Sequence, residues 1–387
     1  MEVLVRLGDG NETEFEQTQL PEYHGPGWQN RPAGFRFNSA DFQNRKVQRV
    51  GSMSDPLANS VPITIVIEWE NAIDVDDQWT HRAMEALQRE LAETAADMPT
   101  RPRIMYLYDK NAVEPGTIER TLDKVAPDIR SYADVEIVPT PGLTYYKLKN
   151  YGIARSRTEL TVMLDSDAAP EPGWLESLLK PFADPEVMVV GGFTVLGADA
   201  FLSRTMALAW VFNLPHEREK TARRQKIHVN NCAVRTDFFQ EHPFPDLPAF
   251  KKQCVFWLRG LTAQGFKFVR SPDAMAIHAP HPGLKFLAWR AWTGGIDADF
   301  LAAQTVTNSR FGRLGHAFRY FARKVWRSWR NIYRHGAKVG LPIWQRPFAM
   351  LVTLTFYLVT LAGNLWSAAT RDIAPLPAIY RRGAEPC

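Results

Sequence analysis

Beyond residue 60 the chain alternates between short apolar runs and longer amphipathic stretches. Val61-Pro62-Ile63-Thr64-Ile65-Val66-Ile67 is a compact, largely β-branched run of the kind found in strands buried on both faces. Helical spacing follows over roughly Val75 to Ala96, and Arg103 to Tyr108 reads as a second strand ending at Asp109. The alternation continues with a helix near Thr117 to Val125, a strand near Val135 to Val138 and a helix near Leu148 to Arg155. Leu160 to Leu164 is again apolar and runs into Asp165-Ser166-Asp167. Pro172-Gly173-Trp174 opens another helix, and Val187 to Val190 reads as a strand stopped by Gly191-Gly192. Strand and helix in repeated succession predict an α/β sheet, entered near residue 61.

Residues 1–60 carry only short apolar runs among Gly, Asn, Gln and Pro, and are expected to form an extended arm. The net charge of +4 conceals an asymmetry. Phe300 to Arg346 contains ten Lys and Arg and no Asp or Glu, so the rest of the chain is net negative. Directly afterwards, residues 347–370 are uncharged and long enough for a transmembrane or membrane-embedded helix. Residues 371–387 would be a tail. The three cysteines form no CxxC pair, which points away from a zinc cluster or a disulfide framework and suits a reducing compartment. The amino terminus lacks a basic start followed by an apolar run, so the catalytic part is expected to face the cytoplasm.

Two carboxylates at i and i+2, just past the end of a buried strand, stand where open α/β sheets bind ligands. The same tripeptide can also close a strand with Asx turns. The apolar strand before Asp165 and Asp167 and the helix start after them favour a site. A nucleoside diphosphate leaving group concentrates negative charge, and a divalent cation held by hard oxygen ligands would neutralise it.

Over about Val61 to His281 the chain resembles the family 2 glycosyltransferases with the GT-A fold. The resemblance is carried by several segments. Glu68-Trp69-Glu70-Asn71 looks like the nucleotide-contacting loop, and Asp109 like the acidic contact to the base. Lys149-Asn150-Tyr151-Gly152 is similar to the family's RNxG segment, and Asp165-Ser166-Asp167 to its DxD. Asn230 to Arg235 is similar to the NN-A-R strand, and Ser271 to His278 to the P-A-x-x-x-H ending. The resemblance implies a GT-A domain over 61–282. It also implies nucleotide contacts from Glu68, Glu70, Asp109, Asn150 and Asp165, and an acceptor side near Asn231 and Trp257. Asp167 would be the direct ligand of Mn²⁺ or Mg²⁺. Asp165 would reach the metal through water or bond the ribose, and His278 would be a third ligand or a strand-end histidine bonded to backbone.

The chain departs from the family where the catalytic base is kept. The acidic pair expected there falls on Gln253-Cys254, with no carboxylate. An inverting transfer to a hydroxyl requires a proton acceptor, and Asp246 is the candidate, with Glu241 nearby; a nucleophilic Cys254 is disfavoured.

Phe311 to His335 interleaves seven Lys and Arg with aromatic residues, which suits a lipid headgroup region, and the adjoining apolar run favours lipid over nucleic acid. Residues 283–346 are thus expected to form a basic amphipathic region. The whole predicts a metal-dependent, inverting transfer of a sugar from a nucleotide diphosphate donor to a hydroxyl of a lipid-linked or envelope glycan, at the cytoplasmic membrane. The alternative is an inactive nucleotide-sugar-binding scaffold at the membrane.

Overall fold

Ile63, Ile65 and Ile67 pack into one core cluster while Val66 packs into another, because successive residues of a strand face opposite ways and helices cover both faces. The same division separates Ile104 and Tyr106 from Met105 and Leu107, and Val162 and Leu164 from Met163. The computed structural model describes residues 61–94, 98, 100–210, 212, 214, 227–280, 283–374 and 376. The expected arm over 1–60 and most of the tail lie outside the described residues.

The first half of the domain is a run of β1 (Ile63–Glu68), α1 (Glu70–Asp74), α2 (Asp77–Thr94), β2 (Arg103–Asp109), α3 (Thr117–Val125), α4 (Ile129–Tyr132), β3 (Asp134–Thr140), α5 (Tyr145–Arg155) and β4 (Leu160–Asp165). The second half comprises β5 (Ala168–Pro170), α6 (Trp174–Leu179), β6 (Val187–Leu196), α7 (Phe201–Ala209), β7 (Asn231–Arg235), α8 (Thr236–Glu241), α9 (Gln253–Ala263) and β8 (Lys267–His278). These strands form one sheet in the order β3-β2-β1-β4-β7-β6-β8-β5. β3, β2, β1 and β4 run parallel, whereas β7 is antiparallel to both β4 and β6. The chain therefore winds outward from β1 to β3 and then returns to β4 on the other side of β1. That reversal is the switch point at which such sheets bind ligands, and Glu68 and Asp165 are register partners at its carboxyl end.

The expected stop at Gly191-Gly192 is corrected: β6 runs on to Leu196. The two glycines admit close neighbours within the strand. A Cβ on Gly191 would meet Ile227 at 2.8 Å, and one on Gly192 would stand 2.4 Å from the Asn231 side chain and 2.5 Å from the Ala274 carbonyl.

Three helices close the chain: α10 (Gly283–Thr305), α11 (Arg310–His335) and α12 (Arg346–Thr370). α10 and α12 cross on small residues. A Cβ on Gly295 would lie 2.1 Å from the Thr360 carbonyl oxygen, and one on Gly363 would lie 2.4 Å from that of Trp292. Buried polar groups join all three helices, with Arg313 donating to Asp299 at 3.1 Å and Ser367 to the same carboxylate at 2.8 Å. Along α12 the buried face is Ala349, Thr353, Tyr357, Thr360, Asn364 and Ser367, while Phe348, Leu351, Leu358 and Trp366 are exposed. This helix is inverted relative to one from a water-soluble surface, with small and polar side chains inward and large apolar ones outward.

Candidate active site

β4 delivers Asp165 to the switch point, and the chain turns through Ser166 and Asp167 into β5. β5 pairs antiparallel with the end of β8, placing Ala168 opposite His278, and Ala279 N–H donates to the Asp167 carbonyl at 2.9 Å. Asp165, Asp167 and His278 thereby converge although a hundred residues separate the first from the last. Each offers a ligand atom, these atoms all lie within 4.8 Å of one another, and all three residues are buried. His278 Nδ1 lies 2.9 Å from the Ala279 carbonyl, and Nε2 lies 3.9 Å from Asp165 Oδ2. His278 Nδ1 also lies 3.4 Å from Asp167 Oδ2, so the imidazole faces both carboxylates.

The two aspartates differ. Asp165 accepts from Lys149 Nζ at 2.8 Å, from Tyr145 Oη at 3.0 Å and from Asn71 Nδ2 at 2.9 Å. Tyr145 and Lys149 lie one turn apart on α5, so a single helix face presents both to the carboxylate. Burial opposes the charge on Asp165, but Lys149 and then His278 outweigh it and hold the carboxyl below its ordinary value. Neither Asp167 side-chain oxygen has a hydrogen-bond partner. Burial pushes the Asp167 carboxyl up to about 6, opposed by His278 and reinforced by Asp165. A buried carboxylate with both oxygens unsatisfied is costly, and a divalent cation held by Asp167, His278 and Asp165 would satisfy it. The donor set of two carboxylates and an imidazole suits Mn²⁺.

Glu68 stands beside this group. Its Oε2 accepts from Glu70 N–H at 2.9 Å and Asn71 N–H at 3.4 Å, which holds the first turn of α1. Burial, followed by repulsion from Asp165, raises the Glu68 carboxyl well above its ordinary value. Glu70 is half-buried, 4.0 Å from Lys251 Nζ. Asp109, at the end of β2, accepts from Asn111 N–H and Gly142 N–H at 2.9 and 3.1 Å.

Other expected site residues are engaged within the fold. Asn150 exchanges two hydrogen bonds with the backbone of Phe244. Asn231 accepts from Trp174 Nε1 at 2.8 Å and donates to the Ala274 carbonyl at 3.0 Å, so both ends of its amide are engaged. Trp257 is buried against Phe239 and Phe244 and donates its indole N–H to the His242 carbonyl. Asp246, expected as the proton acceptor, does not join the triad. It is exposed and pairs with Lys147 at 3.1 Å. Lys147 projects from α5 two residues from both Tyr145 and Lys149, which directs it to the opposite side of the helix. Among the described residues no carboxylate stands in the first turn of α9. Gln253 there donates to the carbonyls of Leu247 and Ala249, and Tyr146 Oη donates to Cys254 Sγ. Asp297 of α10, which the sequence did not single out, accepts from Phe250 N–H at 2.7 Å and Lys251 N–H at 2.9 Å, fixing the segment that carries Lys251.

A family model, Glycosyl transferase family 2, matches residues 113–238, which span α3 to α8 and include both aspartates. Over this segment the chain is similar to the family 2 glycosyltransferases. The matched segment includes β4 and the acidic pair at the β1/β4 switch of the mixed sheet. Two strains of Mycobacterium tuberculosis have a pre-mycofactocin glycosyltransferase that is 38% identical to this chain over 63 residues. The match spans 16% of this chain and 13% of that relative. Among solved structures, the mannosyltransferase PcManGT from Pyrobaculum calidifontis, in complex with GDP-Man and Mn²⁺, superposes with a TM-score of 0.49 at 16% identity. That superposition covers 79% of this chain and 88% of the other. GalNAc-T7 with UDP, GalNAc and Mn²⁺ superposes with a TM-score of 0.41 at 11% identity, over 63% of this chain and 50% of the other.

Proposed function

We propose that the chain is a metal-dependent glycosyltransferase that moves a sugar from a nucleotide diphosphate donor, with inversion, to an acceptor presented at a membrane surface. The observation that carries this reading is Asp167, a buried carboxylate with no hydrogen-bond partner beside Asp165 and His278, inside the family 2 segment. The divalent cation, when bound, supplies positive charge to the diphosphate as it departs. Lys149, Tyr145 and Asn71 orient Asp165, and Asp109 and Glu70 border the same sheet edge at the carboxyl ends of β2 and β1.

The closing helices support a membrane surface. Ile343–Thr370 is long and apolar enough to cross a bilayer, but α12 is tied to α10 and α11 through Gly295, Gly363 and the Asp299-Arg313-Ser367 cluster. Crossing would carry the basic α11 into hydrocarbon. Lying in the interface exposes only the outer face of α12 to lipid, with Phe311, Phe318, Trp326 and Tyr333 of α11 exposed nearby among its basic residues. The inferred placement is thus embedded in one leaflet, on the cytoplasmic side.

Calorimetric titration of the purified full chain with UDP and with GDP, with and without Mn²⁺, tests the donor site. One nucleotide is expected to bind in a metal-dependent manner, and Asp167→Ala is expected to abolish that dependence. Metal-independent binding, or binding unchanged in the variant, overturns the assignment. Donor consumption with a suitable acceptor separates an enzyme from a nucleotide-binding scaffold.

A further inference from the structure

The two lysines that α5 places around the switch point are already committed. Lys149 is buried and donates to Asp165 at 2.8 Å, and Lys147 pairs with Asp246 at 3.1 Å. A third lysine arrives from the segment before α9. Lys251 Nζ lies 4.0 Å from the ring centroid of Tyr145, which bonds Asp165, and 4.0 Å from Glu70 Oε1, with its side chain 24% exposed. Neither contact is a hydrogen bond, so among the described residues the three donors of this ammonium are unspent. Burial is the largest influence on the Glu68 and Asp165 carboxyls, and Lys251 is among the charges that favour the ionised form of both. Its charge therefore reaches the triad while its donors face an open position.

The closing helices fix where Lys251 stands. Asp297 of α10 is fully buried, and its two oxygens accept from Phe250 N–H at 2.7 Å and from Lys251 N–H at 2.9 Å. Gln253 grips the same segment from α9, donating to the carbonyls of Leu247 at 3.1 Å and Ala249 at 3.3 Å. Ala249, Phe256 and Phe300 pack together beside it. Burying a carboxylate is costly, and here both oxygens are spent on the two N–H groups that set the direction of Lys251. Asp297 lies two residues beyond Gly295, the point at which α10 meets the backbone of α12. One helix thus crosses α12 and holds a lysine of the switch point.

We propose that Lys251 binds the diphosphate of the nucleotide, and that Asp297 of the closing helices is the residue that positions it. The inference rests on the transferase reading and adds to it a donor-site cation that the closing helices hold in place. Phosphate oxygens accept from the unspent donors of Lys251, in charge-assisted hydrogen bonds stronger than the two long contacts the ammonium makes without ligand. Lys251 acts by charge alone, forming no covalent bond and keeping its proton. A diphosphate freed of its sugar carries more negative charge than one still joined to it, so the contact strengthens as the leaving group departs.

The test is calorimetric titration of the purified full chain with UDP, GDP, uridine and guanosine at saturating Mn²⁺, and with Mn²⁺ alone. For the diphosphate that the parent chain binds, Lys251→Gln is expected to lower affinity about tenfold, and Lys251→Arg to keep most of it. The matching nucleoside is expected to bind both forms equally. Affinity for Mn²⁺ alone is expected to be unchanged or higher, because removing a nearby cation does not repel another. Asp297→Asn is expected to weaken the diphosphate by about threefold or more, and to add nothing in the Lys251→Gln background; a purely structural role would carry its loss into both. Unchanged diphosphate affinity in Lys251→Gln overturns the proposal, as does an equal loss for the nucleoside or for Mn²⁺ alone. A loss in Asp297→Asn that persists without Lys251 removes Asp297 as the positioning residue. A parent chain that binds neither diphosphate overturns the donor site itself, and this inference with it.

Discussion

Lys149 Nζ donates to Asp165 Oδ1 over 2.8 Å, and neither side chain reaches solvent. Burial pulls the Lys149 ammonium down, but Asp165 and Glu68 together raise it above its ordinary value. Removing one member of such a pair strands a buried charge, at a cost of about 3–5 kcal/mol. Lys149→Met is therefore expected to lower the urea unfolding free energy by that amount. Lys149→Met combined with Asp165→Asn is expected to recover more than half of the loss. Additive single-variant effects would show that the pair is not coupled.

Asp167 predicts the reverse behaviour. Because burial is the largest influence on its carboxylate and its closest charged contact is His278 Nδ1 at 3.4 Å, neutralising it removes a desolvation cost and gives up one long ion pair. Without metal, Asp167→Asn is expected to be as stable as the parent chain or more so, while its Mn²⁺ affinity, read by electron paramagnetic resonance, falls by about 10²-fold or more. Asp165→Asn is expected to lower stability even without metal. If both aspartates proved equally important to metal-free stability, the division of roles between them would be wrong.

The site was legible in the sequence where chemistry sits beside a buried strand. Asp165 and Asp167 follow an uninterrupted apolar run, so strand, turn and carboxylates are all local facts. Lys149 was legible as the first residue of the segment similar to RNxG, but not as the buried partner of Asp165, because its burial depends on β1 and β4 meeting across the sheet. The i, i+4 spacing of Tyr145 and Lys149 was the available signal that one helix face serves Asp165. Asn150, Asn231 and Trp257 look functional by residue type, but their partners are backbone groups and a buried indole far away in sequence. Asp297 lay in a segment read by its membrane character, and its hydrogen bonds span 46 and 47 residues. Gly191 and Gly192 misled for the same reason: their signature is that of a stop, and only the approach of Ile227 and Asn231 shows why glycine is needed within a strand.

The crossing of α10 and α12 leaves no room at Gly295, where the atoms a Cβ would meet are backbone and cannot swing aside. Overpacking of this kind costs typically about 1–3 kcal/mol. Gly295→Ala is expected to lower the thermal midpoint and to open the closing helices to limited proteolysis. Gly294→Ala, next to it, meets nothing within 4 Å and is expected to be neutral. Equal tolerance at both positions would show that the helices are not locked together at this crossing.

Asp246 offers a test of whether a protein base is used at all. A general base contributes about 10²–10⁴-fold to turnover, whereas an exposed ion pair such as Asp246-Lys147 contributes about 0–1 kcal/mol. Asp246→Asn is expected to retain turnover within about threefold, by the weakness of exposed ion pairs. A fall of about 10²-fold or more would make it the proton acceptor.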